Sequence, residues 1–262
     1  MKRNYFFVTI IIIVSIIVAC NGNSSATNGK SDTQAAASDP GSAAGTGNDM
    51  FYEYKLTTSS KEMSIQSDTK MYVSAKGDMR VEMDMTNSYK GNTTSTQIIT
   101  IGHSDKPNES ISIDDSAKTY SINHFDDKDF NTGENIKSSV QKIGEEQVLG
   151  FNSVHARIIS NKSMGGFYND VNTIDLWKSN DVPMPASVKE LFDKFEAKTG
   201  NSMYSTDAVD QLKQIGCTGF LTKMEIHSKR SSTAEELVKV EHRELSSAMF
   251  QIPPGYTESK GL

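Results

Sequence analysis

The segment "DMRVEMDM", residues 78–85, alternates strictly between charged and apolar side chains. Successive side chains of a β-strand point to opposite faces of a sheet, so the alternation predicts a strand with one buried and one solvated face. The apolar set is Met79, Val81, Met83 and Met85. Met71 and Val73 alternate in the same way just before a Gly77-Asp78 turn signal, which predicts that the two strands form a hairpin.

Short apolar patterns separated by Gly, Asn, Asp or Ser continue along the rest of the chain. They predict further strands at 51–58, 95–101, 109–113, 118–124, 146–160, 171–178, 218–228 and 237–246. Helical segments do not alternate with these strands, so the sheet is predicted to be mainly antiparallel.

Two amphipathic helices are predicted late in the chain. A capping box at Ser187 and Glu190 and a terminating Gly200 predict a helix over 187–199. Its apolar stripe comprises Val188, Leu191, Phe192 and Phe195. A second helix near 206–215 carries Val209, Leu212 and Ile215 on one face. We expect both apolar stripes to cover the open face of the sheet.

Three segments resemble a family of uncharacterised secreted and lipid-anchored bacterial proteins with a LolA-like, lipoprotein-carrier domain. The segments are "GEEQVLGFNSVHARI" (Gly144–Ile158), "DLWKSNDVPMP" (Asp175–Pro185) and "FQIPPGY" (Phe250–Tyr256). They match a Gly-bounded phrase before a strand, a strand ending in Trp before a Val-Pro exit, and a final Phe-x-x-Pro-x-Gly-Tyr pattern. The resemblance implies an α+β, mainly β fold. In that fold, a curved antiparallel half-barrel sheet is covered by two or more amphipathic helices and encloses an apolar cavity.

The residues predicted to line that cavity are apolar and come from the hairpin, one strand end and both helices. They are Met71, Val73, Met79, Val81, Met83, Met85, Trp177, Leu191, Phe192, Phe195 and Leu212. Methionine adapts to irregular shapes and is over-used at promiscuous apolar binding surfaces, but it also fills ordinary cores. Trp177, at a strand end, is more typical of a core anchor than of a ligand platform. A ligand cavity and a filled core therefore both remain open.

The N-terminal segment has the pattern of a secretory signal peptide. Two basic residues precede an uncharged run from Tyr5 to Ala19, which is too short to span ~30 Å of hydrocarbon comfortably. The stretch Ile17–Cys20 resembles the lipobox of bacterial lipoproteins, where the signal peptide is cleaved before a cysteine that then carries diacylglycerol. We therefore predict that residues 1–19 are removed and that Cys20 becomes a membrane anchor.

The segment after Cys20 is predicted to be a disordered tether that extends to residue 49. It has no aromatic, Val, Ile, Leu or Met residue up to Asp49, so it cannot bury enough apolar surface to offset its ordering entropy. The folded domain is then predicted over 50–262. Asn21 is not the Asp that retains some lipoproteins at the inner membrane, and no acidic export run follows. By that resemblance we expect the protein on the periplasmic face of the outer membrane.

Charge and cysteine content exclude some functions. The chain has 27 Lys and Arg, two of them in the signal peptide, against 33 Asp and Glu, so the mature chain carries a formal charge of −8. A negative protein has no electrostatic reason to bind nucleic acid. With Cys20 acylated, Cys217 has no partner within the chain for a disulfide.

Sequence motifs for catalysis are absent, and no cofactor or metal is predicted. The chain has no G-x-S-x-G, H-E-x-x-H, C-x-x-C, P-loop or G-x-G-x-x-G motif, and its five histidines are scattered. The acidic segment at 127–134 begins like a calcium loop, but Gly133 stands one place late and Ser138 replaces the bidentate Glu. We interpret that segment as a solvated loop.

The sequence thus predicts a non-enzymatic envelope lipoprotein that is anchored in a membrane through Cys20. One hypothesis is that its half-barrel binds a lipid or another hydrophobic ligand. The alternative is a structural or interaction protein whose core is filled by its own side chains and which acts through an envelope protein partner.

Overall fold

The structure, a computed structural model, describes residues 48–124, 138–160, 172–189 and 206–259. Residues 186–189 are helical, at the start of the first predicted helix. The other elements are, in chain order, β1 (Met50–Ser60), β2 (Met63–Val73), β3 (Met79–Tyr89), β4 (Asn92–Gly102), β5 (Glu109–Asp114), β6 (Thr119–His124), β7 (Ser138–Val148), β8 (Phe151–Ser160), β9 (Asn172–Ser179), α1 (Thr206–Gln214), β10 (Phe220–His227), β11 (Ser231–His242), a 3₁₀ helix (Ser247–Phe250) and β12 (Thr257–Glu258).

The twelve described strands form one curved, open sheet. Their order is β12-β6-β5-β4-β3-β2-β1-β11-β10-β9-β8-β7. Every neighbouring pair is antiparallel except β12 and β6, which are parallel. The pairing of β1 with β11 joins the beginning of the domain to its end in the middle of the sheet. The predicted fold class, α+β and mainly β with an antiparallel half-barrel sheet, is confirmed.

The predicted methionine-rich hairpin is formed by β2 and β3. Met71 pairs with Val81, and Val73 pairs with Met79, so their side chains lie on one face of the sheet. We call this the inner face, and the face that carries Tyr72 and Trp177 the outer face. Gly77 closes the hairpin with a φ of +95°, a backbone conformation that glycine adopts without steric cost.

The prediction of a single strand over 146–160 is wrong, because the chain reverses in the middle of that range. β7 and β8 form a hairpin that turns at Leu149 and Gly150, whose φ angles are +50° and +82°. Two successive positive φ angles are typical of the tight type I′ turn. Leucine seldom adopts that conformation, so the sequence carries only half of the usual turn signal. The strand that precedes the turn, β7 from Ser138, was therefore missed.

The outer face is not fully solvated, contrary to the simple alternation expected for β2. Tyr72 is only 3% exposed, because the C-terminal segment folds back over this part of the sheet. Phe250 of the 3₁₀ helix is buried there in a second core. Its sheet members are Phe51, Tyr72, Ile99, Ile101 and Ile113, with Leu245, Met249 and Tyr256 packed alongside. The "FQIPPGY" segment thus lies against the outer face.

No helix in the described ranges is both long enough and apolar enough to cross a membrane.

Candidate functional site

The inner face of β1–β3 gathers four of the residues predicted to line a cavity. Met71, Val73, Met79 and Val81 are all buried and belong to one apolar cluster. The same cluster contains Val188 of the helical turn at 186–189, so the start of the first predicted helix does cover the sheet. Its remaining buried members are Met50, Tyr52, Tyr54, Val182, Phe220 and Leu237.

Met83 and Met85 lie further along β3 on the inner face. Met83 is fully buried and pairs with Ile98 of β4, while Met85 packs with Leu56 and Ile65. Within the part of the chain that the structure describes, this second cluster consists of side chains of the sheet alone. Neither α1 nor the turn at 186–189 contributes a described side chain to this second cluster.

The helix α1 covers the other half of the inner face. Leu212, predicted as a cavity residue, is 1% exposed and packs with Val209 against β8, β9 and β10. The strand residues of this cluster are Ala156, Ile158, Ile174, Leu176, Leu221, Met224 and Ile226. Cys217, just after the helix, has a thiol that is buried in the same cluster and donates to the carbonyl oxygen of Val154 at 3.5 Å. Leu212 thus lies in close apolar contact with the sheet.

Among the described residues, several buried polar atoms on the inner face have no hydrogen-bond partner. They are Ser67 Oγ, Asn87 Oδ1, Thr100 Oγ1, Ser110 Oγ and Glu235 Oε2. Strand pairing places each of them on the inner face. Ser67 pairs with Leu56, Thr100 pairs with Val81, and Glu235 pairs with Leu56 from the other side. Folded proteins pair the great majority of buried polar groups, so each of these five atoms has capacity for a hydrogen bond to water or to a bound molecule.

Of these five residues, Glu235 has an ionisable side chain. It is 7% exposed and lies on β11 between Leu56 of β1 and Met224 of β10. Burial raises the pKa of Glu235 to about 8. The carboxyl group is therefore largely neutral at pH 7, since burial in apolar surroundings disfavours the charged form.

The two tyrosines nearest to this region already use their hydroxyl groups. Tyr52 donates to the carbonyl oxygen of Pro183 at 2.7 Å, and Tyr54 donates to that of Leu221 at 2.8 Å. Burial raises the pKa of both phenols, so each remains a neutral donor. Neither hydroxyl proton is therefore available to Glu235.

Trp177 lies on the outer face, away from the methionine cluster. It pairs with His155 of β8, and the two rings are stacked with their centroids 3.9 Å apart. The ammonium of Lys223 lies 4.6 Å from the centroid of the Trp177 ring. The indole is 5% exposed and its Nε1 has no hydrogen-bond partner. Trp177 and the methionine cluster therefore face opposite sides of the sheet.

A network of charged residues surrounds His155 on the outer face. Its Nε2 lies 2.9 Å from a carboxylate oxygen of Asp175, and its Nδ1 lies 3.0 Å from Glu146. Arg157 donates two hydrogen bonds to Asp175, at 2.9 and 3.1 Å. Because carboxylates occupy both ring nitrogens, neither nitrogen is positioned to accept a proton from a nucleophile. The arrangement suits a structural role.

Asp175→Ala is expected to lower the free energy of unfolding by about 2 kcal/mol, because it leaves the buried His155 without its main partner. Arg157 is partly exposed and regains water, which limits the loss. Burial raises the pKa of Asp175, but hydrogen bonds from Arg157 and His155 outweigh it and hold the pKa below its usual value. The stabilisation is therefore present above the unfolded-state pKa of 3.8 and is lost as the pH falls below it.

Urea unfolding at pH 7 and pH 3 measures this effect, with Asp181→Ala on an exposed loop as the control. Equal stability of Asp175→Ala and the parent protein at pH 7 would contradict it.

Other predicted site residues fall outside the described ranges. These are Cys20, Leu191, Phe192, Phe195 and the acidic segment at 127–134. Among the described residues, no group of three or more His, Cys, Asp or Glu side chains is arranged to hold a metal ion. The roles of these residues and the absence of a metal site stay predictions.

Glu235 was missed because the last strand was predicted to begin at 237. Thr233, Glu235 and Leu237 alternate with outward-facing residues, and all three are buried. The alternation of Thr233, Glu235 and Leu237 could have predicted that the strand begins earlier. The signal is weak, because a glutamate seldom occupies a buried position.

The described elements form an open, mainly antiparallel sheet with the helix α1 on its inner face. The chain belongs to the family described as "Domain of unknown function (DUF4412)", whose model matches residues 53–256. The predicted membership of an uncharacterised family is confirmed. A comparison with curated proteins finds no match.

A comparison with solved structures finds similarity to several proteins, three of which follow. LprF from Mycobacterium bovis is 12% identical, with a TM-score of 0.35 and coverage of 79% of this chain and 89% of that chain. A β-barrel-like DUF1849 protein from Brucella abortus is 9% identical, with a TM-score of 0.33 and coverage of 75% and 98%. The LolA superfamily protein NE2245 from Nitrosomonas europaea is 8% identical, with a TM-score of 0.27 and coverage of 79% and 91%. At these scores the matches carry no argument about ligand or location.

Proposed function

We propose that this protein is an envelope lipoprotein that binds an amphiphilic lipid on the inner face of its half-barrel. Anchored through an acylated Cys20, it works on the periplasmic face of the outer membrane. The polypeptide between the anchor and β1 serves as a tether, and the folded domain receives the ligand. The protein acts by binding and not by catalysis.

The observation that carries the proposal is the mixed character of the inner face. Apolar side chains dominate it, but five buried polar atoms interrupt them without partners. An apolar core sealed by its own side chains leaves such atoms at a cost of about 1–3 kcal/mol each. A lipid with ester, amide or hydroxyl groups supplies both the apolar contacts and the hydrogen bonds. Binding sites for small molecules commonly combine an apolar lining with a few polar groups.

The anchor is supported by the sequence alone. Each buried methylene contributes ~0.8 kcal/mol to membrane binding, so two or three acyl chains on Cys20 hold a protein in a bilayer almost permanently. The tether would allow the domain to reach roughly 30 Å from the membrane surface. That distance lets a membrane-bound protein exchange lipid with its surroundings.

The alternative is a structural lipoprotein with a filled core. The close packing of Leu212 against β8–β10 and the complete burial of Met83 favour it. The two functions differ in one measurable property, the saturable binding of a lipid by the folded protein.

Met83→Trp separates the two functions. If the inner face receives a ligand, the larger side chain occupies ligand volume, so the affinity for a dansyl-labelled fatty acid falls about tenfold or more while the protein stays folded. If the core is filled, the same substitution overpacks it and lowers the free energy of unfolding by about 1–3 kcal/mol. Fluorescence titration and thermal unfolding of the lipid-stripped protein measure both quantities.

Asp84→Trp is the matched control, since it places the same indole on the exposed side of the same strand. It should bind the fatty acid as the parent protein does. Absence of binding by the parent protein after lipid removal, together with strong destabilisation by Met83→Trp, would favour the filled core. Mass spectrometry of lipid that co-purifies with the protein identifies the natural ligand.

A further inference from the structure

The carboxyl group of Glu235 on the inner face restricts the kind of lipid that fits there. This inference rests on the proposed function. Glu235 is an ionisable residue on the inner face that lies among apolar side chains of β1 and β10. Its Oε2 is buried and has no hydrogen-bond partner. Strand pairing places it between Leu56 and Met224, both of which are 1% exposed.

Among the described residues, the neighbours of Glu235 give its Oε2 no hydrogen-bond partner. On its own strand, Thr233 already shares a hydrogen bond with Thr58 at 3.0 Å, and Leu237 is apolar. Across β1, the hydroxyl of Tyr54 donates to a backbone carbonyl. Tyr54 is the titratable group that faces Glu235 from the described strands, and it is uncharged. A carboxyl group in such surroundings, with no cation beside it in the described strands, exists as the neutral acid, which both donates and accepts a hydrogen bond.

A second unpartnered group lies in the same row of the sheet. Ser67 Oγ stands on β2, on the other side of Leu56. Adjacent strands are about 4.8 Å apart, so the two polar side chains lie roughly 10 Å from each other on one face. Apolar side chains separate them and continue beyond both. The pattern is a long apolar surface with hydrogen-bonding points near its middle.

We propose that Glu235 recognises the uncharged ester or amide carbonyl of an acyl lipid by donating a hydrogen bond from its neutral carboxyl group, while the surrounding apolar side chains hold the acyl chain. A pure hydrocarbon leaves the carboxyl group unpartnered, and a cationic lipid requires it to ionise in an apolar site. The protein therefore prefers neutral ester or amide lipids over both.

Competition against the dansyl-labelled fatty acid tests this preference, with monoolein, octadecene and oleylamine as competitors. The parent protein should bind monoolein about fivefold to tenfold more tightly than octadecene, the factor that one net hydrogen bond supplies. Glu235→Gln keeps a neutral donor and acceptor of similar shape, so it should retain the preference. Glu235→Leu should reduce it to about one.

Two further measurements keep the test independent of folding. Glu235→Leu removes an unpartnered buried carboxyl group, so its Tm should equal or exceed that of the parent protein. Glu236→Leu, the same change on the exposed side of β11, should leave the lipid preference unchanged. The preference of the parent protein for monoolein should decline as the pH rises through about 8, because the carboxyl group ionises, and Glu235→Gln should show no such decline.

The outcomes separate this inference from the proposed function. Binding of all competitors with a preference that Glu235→Leu leaves intact would overturn the role of Glu235 alone. Preferential binding of oleylamine, lost in Glu235→Gln, would show that the carboxylate binds a cation and would also overturn it. No binding of the dansyl-labelled fatty acid by the parent protein would overturn lipid binding itself.

Discussion

Cys20→Ser is expected to abolish acylation completely and to leave residues 1–19 attached to the protein. The hydroxyl of serine is not the thiol that a lipobox presents for diacylglycerol transfer, and cleavage in this class of signal peptide requires the lipidated cysteine. Mass spectrometry of the N-terminal peptide measures both changes at once. The parent protein should show a diacylglycerol-bearing Cys20 as its first residue, and the variant should show an unmodified chain that begins before it.

Cys217→Ala provides the matched control, because Cys217 is the other cysteine of the chain and is buried beneath α1. It should be acylated at Cys20 as the parent protein is. If the parent protein carries no acyl mass on Cys20, the proposed lipid anchor is wrong, and so is the proposed location at the outer membrane.

Leu212→Ala is expected to lower the free energy of unfolding by about 3 kcal/mol and the Tm by roughly 10 °C. Leu212 is 1% exposed and fills the seam between α1 and strands β8–β10. Truncation removes the transfer free energy of its side chain and leaves a cavity that the regular sheet beneath cannot close by moving. Thermal and urea unfolding measure the loss.

Lys213→Ala is the control for helix propensity, since Lys213 is the next residue of α1 and is exposed. It should change stability by less than about 0.5 kcal/mol. A loss below about 1 kcal/mol in Leu212→Ala would mean that the seam is loosely packed. The helix could then separate from the sheet easily, and a ligand surface beneath α1 would become the better interpretation of this half of the inner face.

The sequence predicted part of the candidate site. A local pattern specifies which residues of one strand share a face, but not which residues of distant strands do. Met71, Val73, Met79 and Val81 were found because a period of two places them on one face whatever the rest of the chain does. Trp177 was grouped with them on composition alone. Its neighbour Leu176 points to the inner face, so Trp177 must point away from it. Face assignment across distant strands requires the register, which the sequence does not display.

Glu235 illustrates a second limit. Its burial depends on pairing with β1, whose partner residue Leu56 is far away in the chain. The local sequence around Glu235 is rich in polar residues, which favours an exposed strand end. Only the closure of β1 on β11 makes it an interior position. The raised pKa follows from that closure, since exposure would leave the carboxyl group at its ordinary value.

The sequence by itself determined the strand-rich character of the domain, the β2–β3 hairpin and the amphipathic helix α1, because all three arise from contacts between residues close in the chain. It also supplied the stretch Ile17–Cys20, whose resemblance to a lipobox and whose processing stay predictions. The tertiary structure alone decided the order of the strands, the cover that the C-terminal segment provides for the outer face, and the unpartnered polar atoms of the inner face. These features depend on contacts between residues far apart in the chain. Many strand orders satisfy the same alternation, and the burial of the whole sheet selects one.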